Sequence, residues 1–336
     1  MSAGSGISFD HLDRLSDRRG LYEHADGLVR RVEHGYCVDD NARLLVVCCR
    51  EPDTGVPGRL ARIALDVVLD AQDHEGRSRN RMDQTGRWTD DAGTDDCWGR
   101  GMWALGVAAA RHPDHAMRHR ARKGFELGLR QRSTWPRAMA FAALGAAEVV
   151  AGDPDHEPTR RLLADTLDII GPAPSGAWRW PEPRLRYANA TLAEAVIAAG
   201  AALGRPADLQ RGLALLAWLL TTETHLGHLS VTGVDGRGPH DHDPQFDQQA
   251  IEVSAMADAC WRAHQLTGDQ TWSRGIALAA GWFHGDNDTG EIMWDASSGG
   301  GYDGLQPTGV NRNEGAESTL ALVSTMQRAR SFAVAS

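Results

Sequence analysis

Three short stretches of the chain place two acids within one helical turn of each other. They are Asp39 and Asp40 in GYCVDDNAR, Asp95 and Asp96 in TDDAGTDDCWGR, and Glu314 and Glu317 in NEGAEST. One acid at a helix start is ordinary, because Asp caps the first turn and Glu completes a capping box. A cap uses one carboxylate, so the doubling leaves a second one over. A helix N-terminus holds a carboxylate ionised, which suits a general base. Burial or a like-charged neighbour raises the next carboxyl, which suits a general acid. Two such groups ~6.5–9.5 Å apart hydrolyse a glycosidic bond with inversion. These six acids are the candidate catalytic groups.

Sugar-binding chemistry accompanies them. The chain has 11 Trp but only 4 Tyr. Trp98, Trp135, Trp178 and Trp180 stand in or beside Gly- and Asp-rich loops, where flat indoles can meet the apolar C–H faces of a sugar. About half of the loop tryptophans are expected to cap the core instead. Tyr36, Asn41, Arg43, Arg100, Glu182, Arg186, Asn189, Arg312 and Asn313 offer planar or paired polar groups to hydroxyls, with pairing to nearby acids as the structural alternative. His24, His34 and His228 could serve as the base of a sugar epimerase. PHDHDPQFD at 239–247 is rich in metal-ligating types but has no HExxH or Cys/His spacing, so no metal is expected.

The elements that would position these residues repeat in kind without repeating in sequence. Small-residue helices, apolar nearly all round, are expected to begin near Asp39, Asp95, Trp135, Tyr187, Asp247 and Glu314. Their starts lie about 55 residues apart on average, room for two helices and two loops. Between them lie amphipathic segments at 60–73, 116–130, 159–170, 209–220 and 272–283, with 9–17 as the sixth. Leu209, Leu213, Leu216 and Leu220 show the one-faced stripe. Fully buried helices alternating with half-buried ones describe an inner ring inside an outer ring. The expectation is an all-α protein, an (α/α)6 barrel, spanning residues 1–336 as one domain. The long loops all precede inner helices, so the paired acids should converge at one end.

Composition excludes several classes. The 336 residues carry 45 acidic against 35 basic side chains, a formal charge of −10, which disfavours nucleic acid and anionic lipid as partners. Of the 35 Lys and Arg residues only Lys123 is a lysine, and it sits in a polar helix, so Schiff-base and phosphate-loop lysines are not expected. No GxGxxG motif follows a strand-like run, and no cofactor is expected. Five cysteines, without CxxC spacing, read as reduced thiols of a cytoplasmic protein. Neither a signal peptide nor a bilayer-spanning run is apparent: the apolar stretch 187–204 is Ala-rich and carries Glu194.

Taken together, FDHLDRLSDRRGLYEHA, HGYCVDDNAR and NEGAESTLAL make nearly the whole chain resemble a bacterial family with these tracts, found alone or fused behind a glycosyltransferase domain. The resemblance implies the six-hairpin glycosidase fold and a glycosyltransferase as a partner; it assigns no catalytic residue. The leading reading is a glycoside hydrolase acting on an oligo- or polysaccharide by carboxylate acid–base catalysis. A sugar epimerase or isomerase, and a glycan-binding module without catalysis, are the alternatives.

Overall fold

The computed structural model describes residues 7–333. Twelve α-helices are present among them: α1 (Asp10–Leu15), α2 (Val38–Cys48), α3 (Gly55–Ala71), α4 (Asp96–Arg111), α5 (His115–Gly128), α6 (Pro136–Gly152), α7 (Glu157–Ile170), α8 (Asn189–Ala202), α9 (Pro206–Thr222), α10 (Ala250–Thr267), α11 (Gln270–Phe283) and α12 (Ala316–Ala333). The even-numbered helices pack in the order α2, α4, α6, α8, α10, α12 and back to α2, a closed inner ring. Each odd-numbered helix packs outside it, α3 on α2, α5 on α4, and so on to α1 on α12. This is the (α/α)6 architecture.

Burial follows the side-chain pattern that set the expectation. In α6 every residue from Arg137 to Val150 is buried, and in α8 every residue from Asn189 to Gly200. Outer helix α7 buries Thr159, Leu162, Leu163, Thr166, Leu167 and Ile170, one face at helical spacing. A continuous apolar core draws on all twelve helices. Small residues let the inner helices approach closely. A Cβ added at Gly106 of α4 would lie 2.4 Å from the carbonyl oxygen of Gly145 on α6, so only glycine allows this crossing.

The two ends of the ring differ. Inner-to-outer connections are short turns: 112–114, 153–156, 203–205 and 268–269. Outer-to-inner connections include 16–37, 72–95, 171–188, 223–249 and 284–315. Four two-stranded antiparallel ribbons stiffen these long loops: β1 (Ala25–Asp26) with β2 (Val29–Arg30), β3 (Tyr36–Cys37) with β4 (Arg81–Met82), β5 (Thr224–His225) with β6 (His228–Leu229), and β7 (Gly304–Gln306) with β8 (Gly309–Asn311). β3 runs directly into α2, and β8 precedes α12. Inner-helix starts fall within three residues of expectation, the largest shift being Ala250 in place of Asp247; among the outer helices α3 begins at Gly55, five residues before the expected 60. No helix among the described residues is long and apolar enough to cross a membrane.

Candidate active site

All six inner helices direct their N-termini toward the elaborated end, and the paired acids occupy three of those starts. Asp39 and Asp40 lie in the first turn of α2, Asp96 in that of α4 and Glu317 in that of α12. The capping role fails for α2 and α4, because neither receives a side-chain cap hydrogen bond. Caps occur instead on outer helices, where Asp114 accepts from Ala116 and Met117 and Asp269 from Thr271. The acids at the inner starts are spent on guanidiniums one turn further along.

Arg43 Nη1 lies 2.5 Å from Asp40 Oδ1, and its Nη2 lies 2.7 Å from Glu317 Oε2. Arg100 Nη1 lies 3.0 Å from Asp39 Oδ1, and its Nη2 lies 3.6 Å from Asp96 Oδ2. Arg43 thus ties α2 to α12, and Arg100 ties α4 to α2. Carboxylates that share one guanidinium are held within that group's reach of each other. Asp96 also accepts from the Tyr187 hydroxyl at the start of α8.

Asp39, Asp40, Glu317, Arg43 and Arg100 border a cavity of about 310 Å3; Asp96 lies off its wall. Six carboxyl groups face it, from Glu23, Asp39, Asp40, Asp247, Asp303 and Glu317, against two guanidiniums, Arg43 and Arg100. His24 is the one histidine on its wall among the described residues, with Nε2 3.7 Å from Glu23 Oε1. An adjoining hollow of about 370 Å3 shares Val234 and Gln249 with the cavity and reaches Arg186 and Tyr187. Trp135, 60% exposed at the start of α6, and Tyr187, 41% exposed, are the most open large aromatics among the described residues, with Trp88, Trp178 and Trp294 half-buried in the long loops.

The environments separate the carboxyls. Burial drives Asp39 upward, but the Arg100 and Arg43 charges outweigh it and hold the carboxyl below its ordinary value. Burial pushes Asp40 up to about 6; Arg43 opposes the shift and Glu317 reinforces it. Arg43 occupies Oδ1 of Asp40, while Oδ2 accepts the Cys37 thiol at 3.1 Å, so a proton on Asp40 belongs on Oδ2. Burial also raises Asp303 against hydrogen bonds from Ser318 and the Gly315 N–H, both to Oδ1. Asp247, from the loop before α10, has a half-buried carboxylate with no hydrogen-bond or ion-pair partner among the described residues.

Several expected site residues lie elsewhere. Asp95 is exposed and off the cavity wall. Glu314 is buried, accepts the Ser298 hydroxyl at 2.5 Å and faces His11, so it braces the loop instead of lining the mouth. Trp98 and Trp180 are wholly buried and offer no face to a sugar; both close the core beneath their loops. Trp178 donates to the Glu182 carbonyl and meets Trp218 edge-on. Tyr36 is buried and donates to Asp17, and Asn41 joins Leu21 to Cys37. Glu182 takes both Nη groups of Arg137, at 2.6 and 2.8 Å. Asn189 donates to Glu252, and Asn313 accepts from the Gly27 N–H. Arg312 is exposed over the Tyr302 ring, and Arg186 is exposed on the adjoining hollow. His34 meets His24 edge-on near the mouth, whereas His228 pairs with Asp288 away from it.

Sequence reasoning missed Glu23 and Asp303, which come from loops with no periodic signal, and took Asp247 only as a helix start and the end of a stretch not expected to bind metal. One cluster has metal-like spacing among the described residues: Glu23, Cys37 and Asp40 each place a ligand atom within 4.8 Å of the others. Arg81 pairs with Glu23 and Arg43 with Asp40, so cations of the protein already neutralise two of its three members.

No known family and no curated protein matches the chain by sequence. Solved structures do match its fold. A sugar epimerase from a ruminal bacterium superposes with a TM-score of 0.70 at 14% identity, covering 96% of this chain and 95% of the epimerase. The cellobiose 2-epimerase of Bacillus thermoamylovorans gives 0.70 at 12% identity, with 94% and 95% covered. A family GH76 α-mannanase of Bacteroides thetaiotaomicron gives 0.61 at 10% identity, with 89% and 87% covered. The barrel is therefore of the class found in both sugar epimerases and glycoside hydrolases.

Proposed function

We propose that the elaborated mouth hydrolyses a glycosidic bond in an oligo- or polysaccharide. The observation that carries this reading is the separation of carboxyl groups within one cavity: Asp40 is pushed up to about 6 while neighbouring Asp39 is held ionised. Divergent environments of this kind assign acid and base roles. Asp40 donates its Oδ2 proton to the leaving oxygen. Asp247, whose carboxylate has no partner among the described residues, takes the proton of the attacking water from the α10 side of the cavity. Arg100 fixes Asp39 and Arg43 fixes Glu317 beside them. Trp135 and Tyr187 give the glycan an aromatic approach.

Charge also bears on the sugar. Six carboxyls against two guanidiniums leave the wall negative even with Asp40 and Asp303 protonated. A neutral or aminated sugar unit fits this field; a uronate or a sugar phosphate is repelled by it. The test is reducing-sugar release from a panel of neutral, aminated and uronate oligosaccharides. Turnover of at least one substrate, lost in Asp40→Asn, supports the reading. Binding without turnover across the panel rejects hydrolysis.

The epimerase reading draws on His24 at the cavity wall and on the fold of the two epimerases. It requires exchange of the C2 proton of a reducing sugar with solvent deuterium, which NMR detects without any bond being hydrolysed.

A further inference from the structure

The opposite end of the ring holds a cavity that the chemistry above does not use. Its volume is about 430 Å3, and all six inner helices or the residues just after them line it. Four guanidiniums face it, those of Arg50, Arg111, Arg262 and Arg328, together with the carboxylates of Glu148 and Glu194. Arg262 pairs with Glu194 at 2.8 Å and Glu148 at 3.3 Å, and Arg111 with Glu148 at 2.7 Å.

The other two arginines share a single oxygen. Arg50 Nη2 lies 2.9 Å and Arg328 Nε 2.5 Å from Asp258 Oδ1, while Ser324 donates to Oδ2 at 3.0 Å. The terminal amino groups of Arg328 have no acceptor among the described residues, and the guanidinium lies over the Trp261 ring at 5.2 Å. Burial, reinforced by Arg50, pushes Arg328 down to about 10. Arg50, Arg262 and Arg328 are largely buried against the carboxylates of Asp258, Glu148 and Glu194, whereas Arg111 is half exposed. What the buried set lacks is an acceptor for the Arg328 amino groups, and an unsatisfied charged donor in such a setting is costly. Arginines that merely cap helix ends donate to terminal carbonyls. None of these four does so: every hydrogen bond they make goes to a carboxylate or to Ser324.

We propose that this cavity binds a small organic anion, a carboxylate or phosphate, with its charged group on the Arg328 amino groups and its apolar body against Trp103 and Trp261. The ligand supplies the acceptor that the Arg328 amino groups lack, and the two indoles supply the apolar wall. This site is independent of the hydrolase reading, because none of its residues touches the mouth cavity.

Isothermal titration with benzoate, inorganic phosphate and benzamide tests it. Benzamide has nearly the shape of benzoate without its charge. Benzoate and phosphate should bind, and benzamide should bind about tenfold more weakly or not at all. Arg328→Gln should remove both anions. Arg328→Lys should keep phosphate while losing much of the benzoate affinity, since an ammonium lacks the planar fork. Trp261→Leu should weaken benzoate and spare phosphate. The proposal is overturned if neither anion binds at millimolar concentration, if benzamide matches benzoate, or if Arg328→Gln keeps the anions. Should Arg328→Gln fail to fold, Trp261→Leu decides: unchanged benzoate affinity overturns the site.

Discussion

Asp39 and Asp40 are consecutive in the chain yet answer to different helices. Asp39 faces Arg100 on α4 at 3.0 Å, whereas Asp40 takes Arg43 on its own helix at 2.5 Å. A helix turns about 100° per residue, so adjacent side chains in α2 point to different neighbours. That divergence puts one carboxyl below and the other above the ordinary range, and it sets the first expectation.

Asp40→Asn should reduce turnover by about 10²–10⁴, the usual worth of a general acid. The melting temperature at pH 7 should hold or rise, because the amide oxygen still accepts from Arg43, Glu317 still pairs with it, and no buried carboxylate remains at position 40. Asp39→Asn should behave in reverse for stability, losing about 1–3 kcal/mol as Arg100 is left with only Asp96 nearby. Paired melting curves and initial rates separate the two.

The pH dependence has a defined sign. Asp40 titrates at about 6 in the folded protein, above the ~3.9 of an unfolded Asp. Its contribution to stability is fully present below the unfolded value and is lost as pH rises through about 6. Denaturation of wild type and Asp40→Asn between pH 4 and 7 should therefore show the wild type falling by about 2–3 kcal/mol relative to the variant. Turnover should decline over the same interval as the acid deprotonates. A difference that is flat with pH, or that grows in favour of the wild type, contradicts the assignment.

Asp247 carries no internal partner, so Asp247→Asn should change stability by no more than about 0.5 kcal/mol. As the proposed base it should still lower turnover by about 10²–10⁴. Full activity in this variant removes Asp247 from the reaction.

The glycine crossing makes a purely structural prediction. Gly106→Ala places a methyl 2.4 Å from the Gly145 carbonyl oxygen, where backbone on both sides leaves no room to yield. Overpacking of this kind costs about 1–3 kcal/mol or more. Because α4 carries both Asp96 and Arg100, a folded Gly106→Ala protein should also lose activity by misplacing them. Chemical denaturation and kinetics on the same preparation measure both effects.

Matched aryl glycosides test the charge of the mouth. The uronide should have the highest KM of a neutral, aminated and uronate series, and its disadvantage should shrink as salt is raised. A salt-independent preference for the uronide is the contrary result.

The ring was legible because burial on all sides leaves a compositional trace: α6 and α8 are nearly free of exposed polar residues, and the amphipathic partners alternate with them. Doubled acids at helix starts also pointed to the mouth, since Asp39, Asp40 and Glu317 line it, while Asp96 stands behind Arg100. Loop residues were harder. Nothing local distinguishes Asp303 or Asp247 from the acids around them, because only the fold of loops 223–249 and 284–315 brings them to the cavity. The tryptophans show the opposite error. A loop Trp carries the same sequence signal whether it stacks on a sugar or seals a core, and Trp98 and Trp180 do the latter.

The closure of α12 onto α2 has a consequence for biosynthesis. Arg43 is translated well before its partner Glu317 and the cavity-lining Ser318, which belong to α12. A chain still emerging from the ribosome has five inner helices and a gap where the sixth must dock. In that interval the acid-binding arginine of α2 and the apolar flanks of α2 and α10 face solvent. Domains fold as units during synthesis, and exposed apolar surface invites misassembly. Premature termination before Ala316 therefore leaves an open ring that lacks both part of its mouth and the seal of its core, so the first and last helices of the circle are under one common demand to arrive intact.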